Sequence, residues 1–144
     1  MLQETEEIAA QPRLSALSQS SCFVCGCDNP RGLHLRFEQT KPGEMTAPWT
    51  PDADMEGFRG IIHGGIISTV LDESMAKAVA ASGLEALTAE LRIRLRQHVT
   101  TGSAMRVRGW IESRNKRMIK TEAVLNGPGG TEFAHAWAIF LVLK

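Results

Sequence analysis

Residues 60–79 read GIIHGGIISTVLDESMAKAV, and the architecture of the chain follows from them. Gly64 and Gly65 after His63 open a strongly apolar run, and the spacing predicts a helix over about 65–81 that stops near Gly83, a natural C-cap. Ile66, Ile67, Val70, Leu71, Met75, Ala78 and Val79 occupy most of its circumference. A helix that is apolar nearly all round has to be enclosed on most sides. A sheet curving around it would do this.

The flanking segments supply such a sheet. Residues 33–37 alternate apolar and polar, as a half-buried strand does, and residues 45–49 after the KPGE turn make a second, short strand. Four more strands follow the helix, over 88–99, 105–112, 118–125 and 133–143, separated by the turns at 99–103, 114–117 and 126–130. In the first of these four, strict alternation sets Ala89, Leu91, Ile93 and Leu95 on one face and Thr88, Glu90, Arg92, Arg94 and Arg96 on the other. Two strands, a long helix, then four strands is an α+β pattern, with the helix packed on one face of an antiparallel sheet of about six strands.

With 144 residues, 43% hydrophobic and 22% charged, the chain fits one domain with a proper core. Residues 1–20 read as an N-terminal tail, mobile to about residue 13 and helical over 14–19. The domain then spans 21–144. The formal net charge of zero is a cancellation. Nine Arg and Lys between Arg92 and Lys120 face one acid, Glu112, while the first sixty residues lean acidic. No run approaches the ~18 apolar residues of a membrane span, and the acidic MLQETEEIAAQPR start is unlike a signal peptide. A cytoplasmic protein without membrane contact is the expectation, and three cysteines, an odd number, suit a reducing compartment.

Those cysteines stand together, as Cys22, Cys25 and Cys27 in CFVCGC. Cys-x-x-Cys-Gly is a knuckle able to grip zinc, with His34 a conceivable third ligand. A structural zinc site normally takes four ligands from two such pairs, and the chain has no second pair. The following DNPRG reads as a turn, so the pair does not open a helix as a redox motif would. On this reading the chain uses neither metal nor cofactor.

The chemistry is expected at the helix instead. Helix starts present unpartnered N–H groups and the positive end of the dipole, and glycines there let a ligand oxygen approach. Two acids follow, Asp72 and Glu73. Glu73 shares a row with Lys77 at i,i+4 and is expected to pair with it. Asp72 has no cation within a turn and poor propensity in mid-helix, which marks it as the functional acid. A hydroxyl or backbone partner from another element is the bland alternative.

HGG followed by Leu-Asp-Glu in an apolar helix resembles the hotdog-fold acyl-CoA thioesterases, in the branch of phenylacetyl-CoA-type and hydroxybenzoyl-CoA thioesterases. The likeness runs from about Cys22 to the C-terminus, and CFVCGCDNPRGLHLRF resembles the leader of one bacterial subgroup. It implies a long helix wrapped by a curved antiparallel sheet, and a homodimer, or a dimer of dimers, with active sites at the subunit interface. It implies hydrolysis of an acyl-CoA to free acid and CoA. The Gly65 amide, with Gly64 beside it, would polarise the carbonyl, and Asp72 of the other subunit would act as base or nucleophile. Thr88, opening the strand after the helix, would position water. His63 would either donate to the carbonyl or, as is commoner before Gly-Gly, fix the loop through its ring nitrogens. Many relatives carry Asn or Gln where this chain has Gly57.

The basic turn Arg114, Lys116, Arg117 suits the phosphorylated end of coenzyme A. The arginines from Arg92 to Arg108 read as a solvated outer face or a subunit contact. Two rivals are set aside at this level. A non-catalytic acyl-CoA or lipid-binding module is favoured by Gly57. A nucleic-acid binder is disfavoured because the chain has no Tyr and little aromatic interleaving on the arginine strands.

Overall fold

The structure is a computed structural model that describes residues 19–143. The tail and the helical turn expected over 14–19 lie outside the described residues, except for Gln19. The expected helix is present as α1, Gly64–Ala81. It ends as the sequence requires: Gly83 takes φ +81°, a left-handed conformation that suits glycine, Gly83 N–H reaches the Ala80 carbonyl and Leu84 N–H that of Val79.

Six strands surround one side of it: β1 Glu38–Lys41, β2 Glu44–Trp49, β3 Ala86–Leu95, β4 Met105–Asn115, β5 Met118–Asn126 and β6 Glu132–Val142. They form one sheet in the order β1-β2-β4-β5-β6-β3, with every pairing antiparallel. The helix lies in the curve of this sheet, the arrangement the hotdog resemblance implies. Ile67, Val70, Leu71, Met75 and Val79 meet Val107, Ile119, Ala123, Leu125, Ala136 and Phe140 in a continuous core. None of the helices described is long and apolar enough to cross a membrane.

The segment 33–37 departs from expectation. Its alternation is real, with Leu35 buried and Arg36 exposed, but it is outside the sheet. Leu33 and Leu35 give their N–H groups to the carbonyls of Phe23 and Val24, so the stretch pairs with the cysteine leader and the sheet begins at Glu38. Leader and segment together place Val24 and Leu35 in the core.

Strand β3 ends at Leu95, four residues earlier than expected, because Arg96 and Gln97 both turn their N–H groups to the Phe133 carbonyl. It lies at the sheet edge with β6 as its one neighbour. Leu87, Leu91 and Leu95 stand 40%, 39% and 50% exposed along it. The register against β6 slips between Thr88 and Glu90: Thr88 faces Phe140, yet Glu90 faces Ile139. Ala89 is therefore the extra residue of a β-bulge.

The helix packs tightly on the sheet at Gly109 in β4. A Cβ there would lie 2.5 Å from the carbonyl carbon of Ser74 and 2.6 Å from its oxygen, both backbone atoms. Backbone of a packed helix cannot move aside as a flexible side chain can. Gly109→Ala is expected to destabilise the fold by about 1–3 kcal/mol, the usual cost of overpacking, read as a lower Tm in thermal unfolding. An unchanged Tm would mean that α1 does not press on β4.

Candidate active site

The chain turns into α1 through residues 60–63, and His63 caps the helix. Its Nδ1 accepts the Gly65 N–H at 2.9 Å, while its carbonyl receives Ile66 and Ile67 N–H at 3.0 and 3.2 Å. A neutral imidazole that accepts at Nδ1 carries its proton on Nε2, an assignment that follows from the bond. The cap therefore fixes the loop and leaves a ring N–H pointing away from it. It also moves the expected oxyanion donor. The Gly65 amide is engaged by His63, and the amide of the helix start with no protein partner among the described residues is that of Gly64.

Beside Gly64 opens a cavity of about 370 Å³ with Phe58, Ile61, Ile67 and Leu95 among its walls. Phe58 is 82% exposed, a large apolar ring held at the mouth. A Cβ on Gly64 would sit 2.8 Å from Leu95 Cδ1, so any side chain there intrudes on this space. Gly57 also lines the cavity, and a Cβ on it would lie 3.5 Å from His63 Cδ2, ordinary contact. An amide side chain at position 57 would thus have room beside His63. Sequence reading missed Leu95 as a lining group, since nothing along the chain places the end of β3 beside the helix start.

Asp72 is half-buried on α1, and its Oδ1 accepts the Thr88 hydroxyl at 2.9 Å. Strict alternation would have put Thr88 on the outer face with the arginines. The Ala89 bulge reverses this: Thr88 lies opposite Phe140, which faces the helix, and so reaches Asp72. Burial holds the Asp72 carboxyl above its ordinary range, against the pull of the Thr88 bond and with help from the neighbouring Glu73 charge. Both expected residues are therefore in contact, which supplies the partner that the helix itself does not.

Within one chain the two halves are separate. Asp72 does not line the cavity at Gly64, and eight residues of helix put it roughly 12 Å further along the axis. The expected Glu73–Lys77 pair is also absent. Lys77 Nζ donates to Gln19 Oε1 at 3.0 Å, and Glu73 Oε2 accepts the Cys22 thiol at 3.0 Å. The leader, whose contact with the helix no local spacing rule foretells, has taken both partners.

The basic turn sits at the β4–β5 hairpin tip. Arg114 Nε donates to the Lys116 carbonyl at 3.1 Å, and Arg117 Nε to the Val142 carbonyl at 3.0 Å. Arg117 is thus partly committed to tying down the end of β6, whereas Arg114 and Lys116 are exposed. The register runs Arg114–Ile119–Phe140–Thr88 across the sheet. That places the turn at the Thr88 end, three strand spacings or about 14 Å away. The outer face differs from expectation as well. Trp110, His135 and Trp137 stand among its arginines, with Arg108 over Trp110 and Arg92 over Trp137 at 4.5 Å, supplied by strands β4 and β6. Acids answer these cations: Glu44 meets Arg108 at 2.8 Å and Glu132 meets Arg96 at 2.7 Å.

Residues 59–133, just over half of the chain, match the family model described as the thioesterase superfamily. Three solved structures share the fold. A hypothetical thioesterase protein from Streptococcus pneumoniae TIGR4, with coenzyme A, has a TM-score of 0.71 at 16% identity over 75% of this chain and 84% of its own. The Escherichia coli PaaI protein from the phenylacetic acid degradation operon has a TM-score of 0.73 at 16% identity, over 78% and 81%. Zebrafish thioesterase superfamily member 2 has a TM-score of 0.71 at 14% identity, over 99% and 94%. Among curated proteins there is no match.

Proposed function

The chain belongs to the thioesterase superfamily, and from that premise we propose that it hydrolyses an acyl-CoA thioester, in the cytoplasm, to free acid and CoA. The observation that carries the proposal is the 2.9 Å bond by which Thr88 holds the half-buried Asp72. A hydroxyl donating to Oδ1 fixes the carboxylate and leaves Oδ2 for the reaction. On this reading Gly64 N–H and the Nε2–H of His63 polarise the thioester carbonyl, Gly65 keeps His63 oriented, and residues 21–144 act as one domain. Fixed donors of this kind stabilise the oxygen as charge develops on it.

Asp72 of the other subunit in a homodimer then either takes a proton from water, whose oxygen attacks the carbonyl carbon, or attacks that carbon itself. In both routes the tetrahedral centre collapses by breaking its C–S bond, and the CoA sulfur leaves and is protonated. The direct route adds hydrolysis of a mixed anhydride. The walls of Phe58, Ile61, Ile67 and Leu95 suit an apolar or aromatic acyl group of moderate size.

A panel of acyl-CoA thioesters with a thiol reagent tests this, free CoA being the expected product. No turnover on any member, with binding retained, would favour the acyl-CoA or lipid-binding module, the reading to which Gly57 lends weight. A second expectation concerns the nucleotide. Arg114→Ala with Lys116→Ala should raise KM for CoA thioesters several-fold with kcat nearly unchanged, since remote phosphates bind alike in ground and transition states. Hydrolysis of a short thioester without the nucleotide should not change, and equal damage to both substrates would remove the turn from the binding site.

A further inference from the structure

The zinc knuckle that the sequence leaves short of ligands gains one in the fold. Cys22 Sγ, Cys25 Sγ and a Glu73 carboxylate oxygen lie within 4.8 Å of one another, none of them fully exposed. The Cys22 to Glu73 separation is 3.0 Å across 51 residues of sequence. His34 is absent from the group because its Nε2 is bonded to the Asn29 carbonyl. Cys27 is exposed, with its thiol directed to Asp28.

The turn that carries both thiols is tight. Gly26 N–H reaches back to the Cys22 carbonyl at 2.9 Å. A Cβ on Gly26 would collide with Cys22 N at 2.4 Å. The tight turn therefore holds both thiols on one side, facing Glu73 on α1.

We infer that Cys22, Cys25 and Glu73 bind one thiophilic divalent cation, Zn²⁺ by the chemistry of its ligands, with water in the fourth position. Two soft thiolates and a carboxylate are an accepted zinc set. With Zn–S near 2.3 Å and Zn–O near 2.0–2.2 Å, the edges of a tetrahedron are roughly 3.5–3.8 Å, so the group closes by small side-chain rotations. Both thiol protons leave for solvent as the metal enters. The cation would clasp the leader to α1 at the residue next to Asp72, joining segments that share few backbone bonds.

The test uses full-length, untagged protein, reduced and freed of metal, titrated with Co²⁺ and Zn²⁺. The parent should bind one Co²⁺ per chain with the near-ultraviolet charge-transfer absorption of cobalt thiolates, displaced by Zn²⁺. Cys25→Ser should abolish that absorption, and Cys27→Ser should bind as the parent does. Glu73→Gln should weaken binding at least tenfold while circular dichroism shows the fold intact. That last variant separates a folded site from loose capture by the Cys22–Cys25 pair, because Glu73 can join only in the folded chain. No stoichiometric binding by the parent, or affinity indifferent to Glu73→Gln, would overturn the inference.

Discussion

Asp72→Asn should lower kcat by about a hundredfold or more, the range for losing a general base or nucleophile, whereas Glu73→Gln should leave it within about twofold. The two acids are adjacent, yet one accepts the Thr88 hydroxyl and the other the Cys22 thiol. A dead Glu73→Gln protein with a live Asp72→Asn protein would reverse the assignment. On the proposed mechanism the charged form of Asp72 is the reactive one, and burial raises its pKa. The rate should therefore climb with pH through a value above the ordinary carboxylate range. Thr88→Val removes a bond that favours the charged form, so that limb should move to higher pH. Stability runs the other way. A carboxyl whose folded pKa is raised binds its proton more tightly in the native state, so stability falls as pH rises from the unfolded value through the folded one. At neutral pH Asp72→Asn should then cost activity and not Tm, as expected of a group kept charged for function.

A mixture of two inactive proteins should recover activity. Gly64→Val fills the space beside the open amide and Leu95, and Asp72→Ala removes the acid, so each homodimer should be nearly dead. The amide and the acid are about 12 Å apart along one helix, while reacting atoms must come within about 3–3.5 Å. If the site joins Gly64 of one subunit to Asp72 of the other, each heterodimer holds one intact site. Statistical exchange of equal amounts then restores about a quarter of parental activity for a symmetric dimer. Native mass spectrometry reports the exchange. Confirmed heterodimers without activity would show that both groups act within one chain.

The helix was legible because its signals are local: Gly-Gly before an apolar run, Gly83 after it. The sheet strands were legible because alternation survives whichever neighbour a strand chooses. Most of what escaped depended on contacts between distant segments. The 33–37 stretch alternates as a strand does, but only the fold shows that its backbone partners are Phe23 and Val24. Glu73 has Lys77 at the favourable spacing, yet Cys22, 51 positions away, takes its carboxylate. Gly65 looked like the free amide because spacing says nothing of where an imidazole turns, and His63 Nδ1 turned to it. His135 and Trp137 come from β6 and stand among the arginines of β3 and β4 only once the strands pair, whereas Trp110 follows Arg108 on β4 itself.

Ala89 adds a last point. Its side chain is exposed, and its importance is that it occupies a place in the chain. The aim of Thr88 at Asp72 thus depends on the bulge that absorbs this residue rather than on residue identity at position 89. Replacing Ala89 by Ser or Thr leaves the count intact and Thr88 where it is. Deleting it restores strict alternation with Thr88 still opposite Phe140 and Glu90 still opposite Ile139, so both keep their faces. What would swing Thr88 to the arginine face is a regular strand that keeps Ala89 and loses the bulge.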